Sequence, residues 1–199
     1  MICNNRKYLF LHPPKNGGKS IEDALFDIKP MRGSSDHRIV SEYINDENIK
    51  LRDYYKFMFC RNPWDRLVSV YFARKQHYGY HMMINNIRTP SFNDWIVGPI
   101  SNNGNIFNEL TKYVVTQLSF LKLKNSKIIE LDFLGRFETY NKDWDMLCKN
   151  LNINLELPHH FATRHDHYSK YYNSDTIDIV NELYKEDIEY FNYKFEKKG

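Results

Sequence analysis

The sequence is poor in cysteine, with three residues, at 3, 60 and 148, among 199. An odd, sparse set without paired ligand spacing excludes a disulfide framework and a cysteine-based metal site. Reducing surroundings are the natural expectation. Long hydrophobic runs are missing as well. No stretch reaches the ~18 consecutive apolar residues of a spanning helix. The start, Met-Ile-Cys-Asn-Asn-Arg-Lys, has no apolar signal region followed by a small-residue cleavage site. On these grounds the chain is expected to be soluble and cytoplasmic, with no membrane partner. Charge of one sign is also lacking. The net charge of +3 is too mild for a nucleic-acid-binding surface, although it leaves room for one local cationic pocket. Alanine is scarce, and there are no internal repeats or low-complexity linkers. What is present is 42% hydrophobic residues, rich in Tyr and Phe, which argues against wholesale disorder. At ~150 residues per domain, residues 1–199 are expected to form a single domain with its own core.

Residues 7–12 form a short apolar run stopped by Pro13 and Pro14, which suits a buried strand. Turn chemistry follows at 15–20. Apolar spacing at Ile21, Ala24, Leu25 and Ile28 then predicts a helix over 20–28. Residues 36–50 read as a second helix. Residues 54–60 suit another buried strand. Asn62 is a good helix cap and Pro63 a good first helical residue, opening a helix to about 77. Residues 80–105 are irregular, with a short helix near 92–97. A helix is expected over 106–121, a strand over 127–133, an amphipathic helix over 139–151 and a last helix over 173–191. Strands alternating with helices argue for an α/β fold with a mostly parallel sheet. In such sheets ligands sit beyond the carboxyl ends of the strands.

Two strand–loop–helix units place basic residues at those ends. In the first, His12-Pro13-Pro14 leads into Lys15, Asn16, Gly17, Gly18, Lys19 and Ser20. Two glycines allow backbone N–H groups to turn toward an anion, and the helix that follows adds its own unpaired donors. A nucleoside-triphosphate loop, G-x-x-x-x-G-K-[ST], matches only at its end, because Pro13 stands where its first glycine belongs. Its Mg²⁺ ligand would have to be Asp132. In the second unit Arg61 leaves a strand end, and Ser69 follows about two helical turns into the next helix. A guanidinium fork and a hydroxyl held this way suit one compact phosphate.

These two segments resemble the sulfotransferases that use 3′-phosphoadenosine 5′-phosphosulfate (PAPS), above all the carbohydrate branch and its bacterial relatives. There the first loop reads like Leu-His-Ile-Pro-Lys-Thr-Gly-Gly-Thr-Ser, here residues 11–20. The second reads like Arg-Asn-Pro-Trp/Tyr-Asp-Arg-Leu-Val-Ser-x-Tyr, here residues 61–71. Gln117, the run Gly135-Arg136-Phe137-Glu138 and the tail at 184–193 extend the resemblance over nearly the whole chain. The resemblance implies a P-loop-like three-layer fold with a central, mostly parallel sheet flanked by helices. It implies that residues Lys15 to Ser20 wrap the 5′-phosphosulfate and that Arg61 and Ser69 hold the 3′-phosphate. Arg164 and Tyr168, in a loop after Pro158, would close over the cofactor. Lys19 departs from the usual Thr; either its charge replaces the lost hydroxyl or it points to solvent.

The chemistry implied is transfer of a sulfuryl group from PAPS, leaving adenosine 3′,5′-bisphosphate, to an acceptor hydroxyl of a glycan or hydroxylated small molecule. Lys15 is the expected stabiliser of the bridging oxygen's charge. His37 is the expected base, with Glu42 and then His12 as fallbacks; its ordinary pKa of ~6.5 suits proton removal near neutrality. His159, His160, His165 and His167 share one loop but lack a helical i, i+4 pair, so no metal is expected. Tyr43, Tyr78, Tyr80, Phe92 and Trp95 either stack on the acceptor or belong to local core, and His77 and His81, near the irregular segment, are expected to touch the acceptor.

Overall fold

The computed structural model describes residues 1–27, 35–44, 49–77, 90–100, 114–160 and 164–198. The chain forms two compact units. The first comprises Met1–Arg61 and Gln117–Phe161, and the second Asn62–Thr116 and Ala162–Gly199.

The first unit holds a four-stranded sheet in the order β1 (Ile2–Cys3), β2 (Tyr8–Leu11), β3 (Tyr55–Cys60), β4 (Phe133–Arg136). β1 pairs antiparallel with β2, while β2, β3 and β4 are parallel. The fold is therefore α/β with a mostly parallel sheet and flanking helices. Parallel strands are buried on both faces and read as unbroken apolar runs. Accordingly Leu9, Leu11, Met58 and Cys60 are as fully buried as Phe10, Phe57 and Phe59 on the opposite face. The latter face packs against α1 (Gly18–Phe26) through Ile21 and Leu25. Trp144, Leu147 and Cys148 join the same cluster from a helix over Tyr140–Asn150. Phe10 stacks on Phe57 with ring centroids 4.9 Å apart.

Several elements differ from the sequence expectation. The strand placed at 127–133 lies at 133–136. Its apolar residues Ile128 and Ile129 instead fold back on Leu121–Leu123, with a bridge from Lys122 to Ile128. The chain joins β3 only from Phe133 onward. The helix expected over 36–50 is one short piece, α2 (Val40–Ile44), and residues 45–48 lie outside the described set. Of the helix expected over 106–121, residues 106–113 lie outside that set, and Leu118–Leu121 form a single 3₁₀ turn.

In the second unit α3 (Pro63–His77) starts where Asn62 caps it, the Asn62 Oδ1 accepting the N–H groups of Trp64 and Asp65. Next come α4 (Phe92–Trp95) and a π-turn over Ile96–Ile100. With the helix over Tyr140–Asn150 as α5, the last two are α6 (Ser174–Leu183) and α7 (Lys185–Tyr190). The expected helix 173–191 is thus broken at Tyr184, whose hydroxyl donates to the Val114 carbonyl at 2.5 Å. Tyr71, Phe92, Trp95 and Tyr172 form the aromatic core here, and Tyr43 is buried in the first unit. These rings belong to the core. Tyr78, Tyr80 and His81 lie outside the described residues. No helix of the described residues is long and apolar enough to cross a membrane.

Candidate functional site

β2 and β3 are adjacent and parallel, so the loop leaving Leu11 and the residue leaving Cys60 emerge at the same edge of the sheet. The ladder between them ends at Leu11 and Met58. Pro13 and Pro14 then offer no backbone donors to β3. Side chains supply them instead. Asn16 Nδ2 donates to the Phe59 carbonyl at 2.7 Å and to Gln117 Oε1 at 2.6 Å. The Arg61 N–H donates to Gln117 Oε1, and Gln117 Nε2 donates to the Arg61 carbonyl, both at 2.8 Å. Arg61 Nη1 donates to the Lys15 carbonyl at 2.9 Å, and the guanidinium lies 4.0 Å from the Phe137 ring centroid. Lys15, Asn16 and Arg61 are therefore brought together as one constellation.

The loop backbone has the form an anion cradle requires. Gly17 adopts φ +82°, and α1 begins at the next residue. A helix start presents N–H groups without intrahelical partners. Tyr140 donates its hydroxyl to the Gly17 carbonyl at 2.6 Å and packs against the same residue. Gly18 is held just as closely. A Cβ there would overlap the His12 ring, which fills the space beneath the loop.

Electrostatics favour a negative guest. Burial, reinforced by the Arg61 charge, lowers the Lys15 pKa to about 8. Two cations confined in a poorly solvated corner repel each other, and an anion relieves both costs. Beneath the loop the charges are already matched. Glu22, fully buried, accepts from His12 Nδ1 at 3.0 Å and from Ser35 at 3.1 Å, and pairs with Lys19 Nζ at 3.4 Å. Lys19 thus resolves neither as a solvent-pointing side chain nor as a hydroxyl substitute, since its ammonium turns to this carboxylate. Ser20 is buried, and its Oγ accepts the N–H of His160 at 3.3 Å.

His37 lies next to His12, with ring centroids 4.5 Å apart. It precedes α2 by three residues rather than starting it. Its Nδ1 meets the His12 carbonyl at 2.8 Å. A carbonyl only accepts, so Nδ1 carries the proton and Nε2 the lone pair. Burial, then the neighbouring His12, lowers the His37 pKa to about 3, so the near-neutral value expected from the sequence does not hold: the ring is neutral but a weaker base than an ordinary imidazole. Glu42, the fallback, spends one carboxylate oxygen on the Ile39 N–H at 2.8 Å, a cap of α2.

Ser69, Arg164 and Tyr168 belong to the second unit. Ser69 is buried in α3. Arg164 is exposed, its carbonyl accepting from Gln76 Nε2 at 3.3 Å. Tyr168 is buried, and its hydroxyl takes the Glu196 N–H at 2.8 Å and lies 3.4 Å from Asn62 Nδ2. Three of the four histidines of this stretch have separate partners. His160 binds Asp23 at 2.8 Å, His165 stacks on Phe72 and His167 meets Ser169. Among the described residues no group of three or more His, Cys, Asp or Glu converges on a point.

Asp132 stands at the wrong end of the sheet for a triphosphatase. It precedes β4, and its carboxylate accepts from Lys56 Nζ at 2.6 Å and the Lys56 N–H at 2.7 Å, at the start of β3. The loop that follows Leu11 leaves the opposite end of these parallel strands. The sequence reading missed the Phe137, Tyr140 and Glu22 contacts and gave Gln117 no role. The one signal was the proline pair, which leaves β3 in need of donors.

The general sulfotransferase family description matches residues 3–194. This chain belongs to the sulfotransferase family. It is also 28% identical over 171 residues to a Danio rerio protein named carbohydrate sulfotransferase 14, covering 72% of this chain and 45% of that one. It therefore spans less than half of that relative. No solved structure matches it.

Proposed function

We propose that this sulfotransferase, as a single domain over residues 1–199, moves a sulfuryl group from PAPS to a hydroxyl of a carbohydrate acceptor. The observation that carries the reading is the Lys15–Arg61 pair beside the left-handed Gly17 and the start of α1, at the tips of adjacent parallel strands. The fit to a doubly phosphorylated nucleotide rests on two crowded cations and a backbone cradle that leaves Gly17 and Gly18 no room for side chains. PAPS, when bound, supplies the activated sulfuryl group.

The chain's residues divide the remaining work. Lys15, Asn16, Gly17, Gly18, Lys19 and Ser20 hold the 5′ end, Lys19 through its backbone. Arg61 and Ser69 hold the 3′-phosphate. Arg164 contributes charge from a segment that the buried Tyr168 fixes. Lys15 stabilises negative charge developing on the leaving side, an effect that is large where water is excluded. His37 Nε2 takes the acceptor proton. The carbohydrate acceptor is supported by the similarity to the Danio rerio protein named carbohydrate sulfotransferase 14.

Labelled-sulfate transfer from PAPS across glycans, lipids and phenols tests the activity. Titration with adenosine 3′,5′-bisphosphate in the absence of Mg²⁺ tests the site. Tight metal-independent binding together with transfer to a glycan is expected. Preference for Mg-ATP, or no transfer to any acceptor, would overturn the reading.

A further inference from the structure

Gln117 is completely buried and uses both ends of its carboxamide on the two phosphate-binding segments. Its Oε1 accepts from the Arg61 N–H and from Asn16 Nδ2, and its Nε2 donates to the Arg61 carbonyl. Toward Arg61 it behaves as a neighbouring strand would, exchanging bonds with both the N–H and the C=O of one residue. It does so just past the end of the β2–β3 ladder, where the prolines cannot. Asn16 Nδ2 in turn holds the Phe59 carbonyl. One planar group therefore fixes the main-chain direction of Arg61 and the side chain of Asn16 at the same time. The guanidinium extends from that fixed backbone to the Lys15 carbonyl and the Phe137 ring.

We propose that Gln117 is a positioning residue for nucleotide binding, setting the Arg61 guanidinium and the Asn16 end of the loop in the register that accepts two phosphates of one nucleotide. The inference rests on the PAPS reading above. The physical reason is preorganisation. A cation held before the ligand arrives loses less freedom on binding, and a buried carboxamide with two bonds to the Arg61 backbone and one to the Asn16 side chain holds it more rigidly than an exposed side chain can.

The test is a double-mutant cycle on the full chain, with adenosine 3′,5′-bisphosphate as the calorimetric ligand and the thermal midpoint recorded for every protein. Gln117→Leu keeps the bulk and removes all three bonds. It should weaken binding ~10-fold, the size expected for losing buried hydrogen bonds that orient a charge. Arg61→Ala retains the backbone groups that Gln117 bonds. In that background Gln117→Leu should cost only ~3-fold or less, because the guanidinium it orients is gone. Its effect on the thermal midpoint should be the same in both backgrounds. Gln117→Glu keeps the accepting oxygen but sets a second oxygen against the Arg61 carbonyl. It should fall between wild type and Leu, and it replaces Leu in the cycle if Gln117→Leu does not fold. Unchanged affinity in Gln117→Leu, or an equal loss in both backgrounds, would overturn the positioning role while leaving the PAPS reading intact. Failure of the wild-type chain to bind the bisphosphate would overturn both.

Discussion

Lys15 is where binding and stability pull against each other. Its ammonium is half-buried and crowded by Arg61, which holds its pKa near 8 against an ordinary 10.5. A depressed folded-state value means that the unfolded chain binds the proton more tightly. The charged form therefore costs stability everywhere below about pH 8. Lys15→Met should stabilise the ligand-free protein at pH 7 by about 1–3 kcal/mol, raising its thermal midpoint, while abolishing bisphosphate binding. Thermal scans with and without the bisphosphate check both halves, and a lower midpoint without ligand would refute the electrostatic account. His37 makes the complementary case. With Nδ1 committed to the His12 carbonyl and its pKa near 3, it is neutral at every physiological pH. His37→Ala should lower turnover ~100-fold or more, within the range for loss of a general base, and leave bisphosphate affinity nearly unchanged. Wild-type turnover in this variant would remove His37 from the reaction.

At the scale of the element, the β2–loop–α1 unit works because of what it leaves out. The His12 ring occupies the place of a Gly18 side chain, and His12 is itself tied to Glu22. Gly18→Ala must push His12 off that carboxylate or lift the loop. A loss of ~2 kcal/mol or more in urea unfolding is expected, as for overpacking at a rigid site, together with weaker nucleotide binding. An alanine variant with wild-type stability would show that the loop has room to give. This unit was legible in the sequence because its parts are local: an apolar run, a proline stop, two glycines and a helical spacing within twenty residues. Asn62 and Pro63 announced α3 for the same reason. The strand at 133–136 was not legible. Ile128 and Ile129 carry the stronger apolar signal, but their backbone pairs with residues 121–123, and only the distant β3 makes Phe133–Arg136 a strand. The role of Gln117 was hidden likewise. It comes from outside both motifs, and its bonds become visible only when a segment 56 residues away in sequence is folded against it.

For the whole molecule the buried ionisable groups set the acid limit of stability. His12 and His37 both have folded-state values below 6.5, with burial the first cause in each. Below pH 6.5 the unfolded chain takes up these protons more readily than the folded chain, for His37 down to about pH 3. Stability from these groups is therefore fully present above 6.5 and is lost as the pH falls, with a slope of up to about 1 kcal/mol per pH unit for each histidine. Glu22 and Asp132 add a loss of the same sign, but only below the carboxylate range. Burial alone would raise both, and bonds from His12 and from Lys56 outweigh it. The two contributions are separable because they begin at different pH. Urea unfolding at pH 7, 6 and 5 should show stability declining across this interval, before the carboxylates titrate. His37→Gln, which cannot take up a proton, should flatten part of that decline even if it lowers stability at pH 7. A wild-type curve level from pH 7 to 5 would mean that water reaches these rings and that the neutral base inferred for catalysis is protonated in weak acid.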